Sequence, residues 1–418
     1  MPKNLNQPKK QGLKVSILVP GRWHAFDLAR ELNRRGVLDL LITNYPKAKT
    51  RQWGIPDERV RSIFWHYLLM RGVWEAGGEG LDIRMGHFLF SLFGRASLRH
   101  VPPNGLLHAW AGAGLESLLA SGREYRTILM DRASAHRIEQ DRILSREYEK
   151  RGKPWPTRPQ RMVERELREY ELCDGVVVPS LFVERSFLNQ RFPPNKLHRS
   201  CLGVDPASFT KTERPPPTKF QAIYVGSLSL RKGIPYLLEG FEQAQMPDAE
   251  LLVIGGQAKD WSDLSLHPTA GVRWLPHQPQ ASLSQHYRQA SVFVMASLEE
   301  GQAMVQLQAL ACGLPLICTR HTGGEDLLKM SGEPQACSSG ISEFPAGYVV
   351  PAGESQALAW CLQQLFRHPQ LLARKQDAAR RIPMERFSWG EYAERNLSLY
   401  EKILAAKPGR TARQAIPA

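Results

Sequence analysis

The sequence predicts an α/β protein built from two successive domains. Its 418 residues exceed what a single hydrophobic core usually holds, so two domains are expected. Short apolar runs alternate with amphipathic stretches, which is typical of parallel strands covered by helices. The run Pro215-Pro216-Pro217, flanked by polar residues, interrupts this alternation and favours a stiff connection between two α/β units.

Each strand is predicted from an apolar run bounded by turn residues. The strands of the first unit are Val15–Val19, Leu38–Thr43, Leu106–Trp110, Thr127–Met130 and Val176–Pro179. Those of the second unit are Ala222–Val225, Leu251–Ile254, Val292–Met295 and Leu316–Thr319. A helix is expected from His24 to Arg35, and two more are expected between Met130 and Val176, separated by Gly152–Pro156.

Composition limits the class of protein. No run approaches the roughly 20 apolar residues that span a bilayer, and the short run Leu13–Pro20 is read as a buried strand rather than a signal peptide. The six cysteines form no C-x-x-C pair, which favours reduced thiols in a cytosolic protein. The net charge of +14 favours an anionic partner: nucleotide phosphates, a membrane surface or nucleic acid.

The segment from Phe64 to Phe93 is rich in aromatic residues and is surrounded by arginines. Two interpretations stay open. A basic, aromatic, amphipathic surface can lie in a membrane interface. The alternative is core-facing helices with solvated arginines.

Candidate phosphate-binding residues follow the strand Ala222–Val225. That strand ends at Gly226, and the loop after it carries Arg231 and Lys232 before a helix begins near Pro235. Cations at the carboxyl end of a strand lie where α/β sheets bind ligands, so this pair could hold a diphosphate. An isolated Arg-Lys pair is otherwise a solvated loop.

A second candidate element follows the strand Val292–Met295. Gly301 breaks the turn, and a helix is expected from about Ala303 to Ala311. Free N–H groups at the start of that helix suit phosphate oxygens. Glu300 and Gln308 could accept hydrogen bonds from sugar hydroxyls, although Glu300 alone could equally stabilise the helix start.

Together these elements resemble the retaining GT-B glycosyltransferases of the GT4 family. The motifs that carry the resemblance are Gly226-x5-Lys232-Gly233, Ser297-x-x-Glu300-Gly301, Ala309-x-Ala311-x-Gly313-x-Pro315 and Thr322-Gly323-Gly324. The ending around Phe387-Ser388-Trp389 and Tyr392 is similar to that family's last helix, which crosses back to the first domain. The resemblance is strong from Gln221 to Leu404 and weaker before, and it implies two Rossmann-like domains facing across a cleft.

The resemblance also implies residue roles. Lys232, helped by Arg231, would bind the donor diphosphate, and Glu300 would face the transferred sugar. Gly301 and the backbone from Gln302 through Ala303 and Met304 to Val305 would meet the phosphates. Gln308 occupies the place of the glutamate that holds the nucleotide ribose.

Three departures from the family pattern stand out. Gln308 replaces a glutamate and so loses a charged acceptor with two oxygens. Ser227 stands where the family often has arginine, and Gln302-Ala303 stands where it often has Phe-Gly. These departures keep open a catalytically impaired binding protein on the same fold.

Candidates in the first domain are less specific. Gly21, in the loop after the first strand, is a candidate for phosphate contact by the same resemblance. A histidine of this domain often lies beside the reacting sugar, and His136 is preferred as a catalytic residue over His24 and His108.

The resemblance divides the chain into five parts. We expect an N-terminal domain over residues 1–205, a linker over 206–220, a donor-binding domain over 221–385, a returning helix over 386–404 and a flexible tail over 405–418. No Asp-x-Asp occurs, so neither a metal nor another cofactor is expected.

The expected partners are a UDP- or GDP-sugar and a sugar or lipid-linked acceptor, with an anionic membrane surface as a further partner and no nucleic acid. We expect cytoplasmic synthesis of a cell-surface polysaccharide or glycolipid, with membrane association on the cytoplasmic face.

Overall fold

A computed structural model describes residues 12–120, 126–153, 155, 159–209, 219–258, 269–337 and 340–406. The run Pro215-Pro216-Pro217 and nearly all of the predicted tail lie outside these residues. The described chain forms two sheets, each covered by helices.

The first sheet has seven parallel strands in the order β3-β2-β1-β4-β5-β6-β7. Its strands are β1 Val15–Val19, β2 Leu38–Thr43, β3 Val60–Ser62, β4 Gly105–Trp110, β5 Arg126–Asp131, β6 Gly175–Val178 and β7 Leu197–Arg199. The strands β1, β5 and β6 are buried along their whole length, which explains why their central residues are mostly apolar. The five strands predicted in this unit are confirmed to within one residue at each end.

The second sheet has eight strands in the order β10-β9-β8-β11-β12-β15-β14-β13. Its strands are β8 Gln221–Val225, β9 Glu250–Ile254, β10 Val272–Leu275, β11 Val292–Met295, β12 Leu316–Thr319, β13 Gln335–Ala336, β14 Ser342–Phe344 and β15 Gly347–Val350. The last two pairings are antiparallel and the others are parallel. The four strands predicted here are confirmed.

Most of the helices lie between successive strands, and the last three follow the final strand. They are α1 Ala25–Arg34, α2 Lys47–Gln52, α3 Phe64–Ser97, α4 Leu115–Leu119, α5 Arg137–Lys150, α6 Gln160–Leu172, α7 Leu181–Asn189, α8 Ile234–Gln243, α9 Gln280–Gln289, α10 Met304–Ala311, α11 Gly324–Leu328, α12 Ser355–Arg367, α13 Pro369–Arg381 and α14 Trp389–Ala405. The expected pair between β5 and β6 is present as α5 and α6.

The last helix, α14, packs against the first sheet's core. Ser388 caps its first turn by accepting a hydrogen bond from the Glu391 amide. Its buried face joins the cluster formed by β1 and α1, and Tyr400 Oη lies 2.6 Å from His108 Nδ1 on β4. The chain therefore returns from the second sheet to the first.

The aromatic segment lies within one helix of 34 residues, α3. Leu89 and Phe93 are buried near its end, whereas Phe64, Trp65 and Leu68 are exposed near its start. None of the described helices is both long and apolar enough to cross a membrane.

Six short strands escaped the sequence prediction: β3, β7, β10, β13, β14 and β15. Most lie at or near a sheet edge and have two to four residues, some of them polar and exposed. Without a long apolar run, a strand of this kind is determined by the neighbour with which it pairs.

Candidate active site

The carboxyl ends of the two sheets meet. Ser180 follows β6, and its hydroxyl donates a 2.6 Å hydrogen bond to the carbonyl of Gly301, which follows β11. A Cβ atom at Gly301 would collide with the carbonyl oxygen of Ala133, which follows β5. Glycine is therefore required where the loops from the two domains touch, and ligands of α/β sheets bind at this kind of edge.

Lys232 and Glu300 form an ion pair at this edge. The Lys232 Nζ contacts Glu300 Oε2, and both side chains are only 16% exposed. Gly233 makes this approach possible: its φ is +69°, and a Cβ there would strike the carbonyl of Ala296 after β11. The loops after β8 and β11 thus bring together two residues that the sequence singled out separately.

Burial raises the pKa of Glu300, but the neighbouring charges of Lys232 and Arg231 outweigh it and leave the pKa below its ordinary value. Arg231 Nη2 lies 3.7 Å from Glu300 Oε1. The carboxylate is therefore ionised at neutral pH, beside two cations that could bind an anionic ligand.

A third carboxylate contact was missed in the sequence. Glu299 is completely buried, and its Oε2 accepts a 2.9 Å hydrogen bond from Arg231 Nε. The only signal available was its position beside Glu300, because its other partners lie far away along the chain.

The first turn of α10 supplies free amides. The N–H groups of Met304 and Val305 donate to no carbonyl within the described parts of the chain. The Ala303 amide differs from the expectation, because it donates to the Thr322 carbonyl at 3.2 Å. The amides of Met304 and Val305 therefore remain available for an anion.

The side chain of Gln302 faces the segment that follows β7. Its Oε1 accepts a 2.7 Å hydrogen bond from the Leu202 amide, and its Nε2 lies 2.9 Å from Cys201 Sγ. The residue that departs from the family pattern thus joins the α10 loop to the first domain. Only its backbone remains a candidate for ligand contact.

Gln308 is almost fully buried on α10. Its Oε1 accepts a 3.1 Å hydrogen bond from the Tyr287 hydroxyl on α9. A glutamine whose single oxygen already accepts one hydrogen bond has less capacity to accept from a ribose hydroxyl than a carboxylate in the same place.

Gly21 lies at the carboxyl end of β1. Its carbonyl accepts a 3.2 Å hydrogen bond from the Thr43 hydroxyl. The indole of Trp23, which is 64% exposed, covers it, so a Cβ at Gly21 would lie 2.8 Å from the indole nitrogen. Gly21 thus shares the sheet edge that faces the second domain.

The placement of His136 argues against the catalytic role expected for it. Its ring is buried between Tyr170 and Phe187, with centroid distances of 5.2 and 4.8 Å. Its Nδ1 is buried with no hydrogen-bond partner among the described residues. Burial and the nearby Arg132 lower the pKa of His136 to about 4, so the ring is neutral and belongs to the core of the first domain.

The two competing histidines surround one buried carboxylate. His24 Nε2 and His108 Nε2 lie 3.1 and 3.3 Å from Asp131 Oδ2. Burial raises the pKa of Asp131, yet the two imidazoles lower it well below its usual range. Because His108 also contacts Tyr400, the cluster ties α14 to the first sheet.

No three His, Cys, Asp or Glu side chains come together in a metal-binding group in the part of the chain that the structure describes. Metal-independent chemistry stays a prediction. The positive charge near Glu300 comes from Lys232 and Arg231.

Residues 207–382 match the family described as Glycosyl transferases group 1. An MMP alpha-(1->4)-mannosyltransferase of Mycolicibacterium hassiacum is 27% identical over 217 residues, which are 51% of this chain and 50% of that protein. The chain therefore spans about half the length of the curated relatives it matches.

Two solved structures share the whole architecture. Anabaena HepE in complex with UDP has a TM-score of 0.63 and 16% identity, covering 93% of this chain and 100% of that one. Sucrose-phosphate synthase from Thermosynechococcus elongatus has a TM-score of 0.65 and 17% identity, covering 95% and 100%. The chain has the GT-B fold of two parallel-sheet α/β domains, and the match of its second domain to Glycosyl transferases group 1 supports a transferase.

Proposed function

We propose that this protein is a glycosyltransferase that moves a sugar from a nucleotide-diphosphate sugar to a hydroxyl acceptor. The observation that carries the proposal is the Lys232–Glu300 pair at the edge where the two sheets meet. Cations beside an ionised carboxylate, close to free amides of α10, suit a diphosphate linked to a sugar.

In this proposal the chain's own groups stabilise the departing diphosphate. Lys232 and Arg231 neutralise its charge, and the amides of Met304 and Val305 bind its oxygens. Fixed charges of this kind lower the barrier because they need no rearrangement as the leaving group becomes charged. Glu300 faces the transferred sugar, and transfer with retention at the anomeric carbon follows from the GT4 resemblance.

The donor is proposed to carry uridine or guanosine. UDP is the first nucleotide to test, since the Anabaena HepE structure holds it. Gln308 is proposed to contact the ribose through its amide nitrogen, because its oxygen already accepts one hydrogen bond from Tyr287.

The acceptor is proposed to be a precursor of a cell-surface polysaccharide or a glycolipid, reached at an anionic membrane on the cytoplasmic face. Phe64, Trp65 and Leu68 expose apolar surface at the start of α3, and the chain carries a net charge of +14. Sedimentation with vesicles containing phosphatidylglycerol tests this, and no binding above that to neutral vesicles would contradict it.

A catalytically impaired binding protein is the alternative. The Tyr287–Gln308 hydrogen bond favours it, since this contact weakens the expected ribose acceptor. In that case a nucleotide-sugar would bind weakly or not at all, and no sugar would be transferred.

The deciding experiment incubates the protein with UDP- and GDP-sugars and a panel of glycoside and lipid-linked acceptors. Release of nucleoside diphosphate that depends on the acceptor supports transfer. The proton NMR signal of the product's anomeric proton reports whether the configuration at the anomeric carbon is retained or inverted. Binding without acceptor-dependent release would favour the alternative.

A further inference from the structure

Glu299 joins the two domains within one buried carboxylate. Its Oε1 accepts a 2.9 Å hydrogen bond from the Ala135 amide, which belongs to the first domain. Its Oε2 accepts from Gln140 Nε2 at 2.7 Å, also in the first domain, and from Arg231 Nε at 2.9 Å in the second. Two of its three partners are therefore lost if the domains separate.

The negative charge of Glu299 strengthens its dependence on partners from both domains. Burial raises the pKa of Glu299, but Arg231 and the two amide donors overcome it and bring the pKa to about 2. The group is thus a buried anion at neutral pH. A buried charge that loses its hydrogen bonds is costly, so the closed arrangement and the ionised carboxylate support each other.

The link extends into the core of the first domain. Gln140 Oε1 accepts hydrogen bonds from Arg132 Nη2 at 3.0 Å and Arg137 Nη1 at 2.7 Å. Both arginines also bind Glu166. Gln140 is thereby held with its amide nitrogen toward Glu299.

The same carboxylate orients a residue of the candidate active site. Because Arg231 Nε is bonded to Glu299, the guanidinium turns Nη2 toward Glu300, 3.7 Å from its Oε1. Without Glu299, the Arg231 guanidinium would lose the hydrogen bond at Nε that fixes its orientation beside Glu300.

We propose that Glu299 is a positioning residue that couples closure of the two domains to the placement of Arg231 beside Glu300. This rests on the proposed function for the identity of the ligand, a nucleoside diphosphate. Glu299 touches no reacting atom. It fixes the orientation of Arg231, the cation proposed to contact the diphosphate.

The test uses the variant Gln140→Glu, which places a second carboxylate against Glu299. The new side chain can still accept the hydrogen bonds from Arg132 and Arg137. Repulsion between the two carboxylates should open the domains and increase the radius of gyration in small-angle scattering. UDP affinity should fall about tenfold, within the range usual for coupling between sites. Glu299→Gln, which weakens the Arg231 contact, should lower UDP affinity at least as much.

The double variant Glu299→Gln, Gln140→Glu exchanges the two side chains and should restore the hydrogen bond between the domains. The new amide can donate to the new carboxylate, so the wild-type radius of gyration should return. UDP affinity should recover only in part, because the amide at position 299 no longer offers an anion to Arg231. Arg185→Leu is the matched control: it removes an exposed interdomain contact, with Glu325, that does not reach Arg231, and both readouts should stay at wild-type values.

Circular dichroism and thermal melts establish that each variant is folded. If Glu299→Gln fails to fold, Gln140→Glu decides the matter alone. Wild-type affinity and radius of gyration in a folded Gln140→Glu would overturn the proposal. If wild-type protein binds neither UDP nor GDP, the proposed function fails, and the scattering comparison alone decides whether Glu299 controls closure.

Discussion

The Lys232 ammonium lies against the Glu300 carboxylate although the residues are 68 positions apart, on loops after different strands. Glu300→Gln keeps the size of the side chain but removes the charge that faces Lys232. Because Glu300 is proposed to face the transferred sugar, kcat should fall about 100-fold or more, as it does when other charge-stabilising groups are removed. Donor affinity should change by less than about threefold. Steady-state kinetics with calorimetry measure both, and an unchanged kcat would remove Glu300 from the chemistry.

Gly301→Ala tests the meeting of the two domains. The added methyl would collide with the Ala133 carbonyl and force the loops apart, costing about 1–3 kcal/mol, as overpacking usually does. Thermal melts and activity should both decline. Gly72→Ala in the exposed part of α3, where a Cβ meets nothing within 4 Å, is the control and should be neutral or stabilising. Equal melting points for both variants would argue against the close approach.

Gln308→Glu tests the departure from the family pattern. A carboxylate can accept from Tyr287 with one oxygen and from a ribose hydroxyl with the other. Donor affinity should therefore rise about three- to tenfold, measured by calorimetry with UDP. Weaker binding in a folded variant would show that residue 308 does not meet the ribose.

His136→Phe should leave transfer within about threefold of the wild-type rate, because the His136 ring packs between Tyr170 and Phe187 in the core of the first domain. A kcat reduced 100-fold in a folded variant would restore His136 to the candidate site.

The same variant should change the pH dependence of stability. His136 has a pKa near 4 when folded and about 6.5 when unfolded, so the unfolded state binds its proton first and wild-type stability falls between pH 6.5 and pH 4. Substitution removes this loss, so stability of the variant relative to wild type should improve by up to about 3 kcal/mol at pH 4. Urea denaturation at pH 7 and pH 4 measures it, and an unchanged difference would mean that the ring protonates in the folded state.

Much of the fold could be predicted because the central strands carry their own signal. Strands such as β1 and β12 are buried throughout, so their mostly apolar sequences indicate both that the segment is a strand and where it begins and ends. The short strands β7 and β10 have mixed sequences, and only pairing with a neighbour makes them strands.

The candidate site divides in the same way. Lys232 and Glu300 could be found because each lies in a motif at the end of an apolar strand. Glu299 could not, because its meaning depends on Ala135 and Gln140, which lie more than 150 positions away. For His136 the sequence showed a position after β5 but not the direction of the ring, which packs in the core against Phe187.

The most direct test of the central claim is nucleotide binding to wild type and to Lys232→Ala. Thermal shift with UDP- and GDP-sugars should show that one of the two nucleotides stabilises the wild-type protein. Calorimetry should show an affinity about 10- to 100-fold lower in Lys232→Ala, which is the effect of losing one charge-assisted hydrogen bond. Lys329→Ala, which removes the same charge from an exposed pair with Glu325, should bind as wild type. Equal affinity in wild type and Lys232→Ala, or no binding by wild type, would contradict a donor site at Lys232 and Glu300.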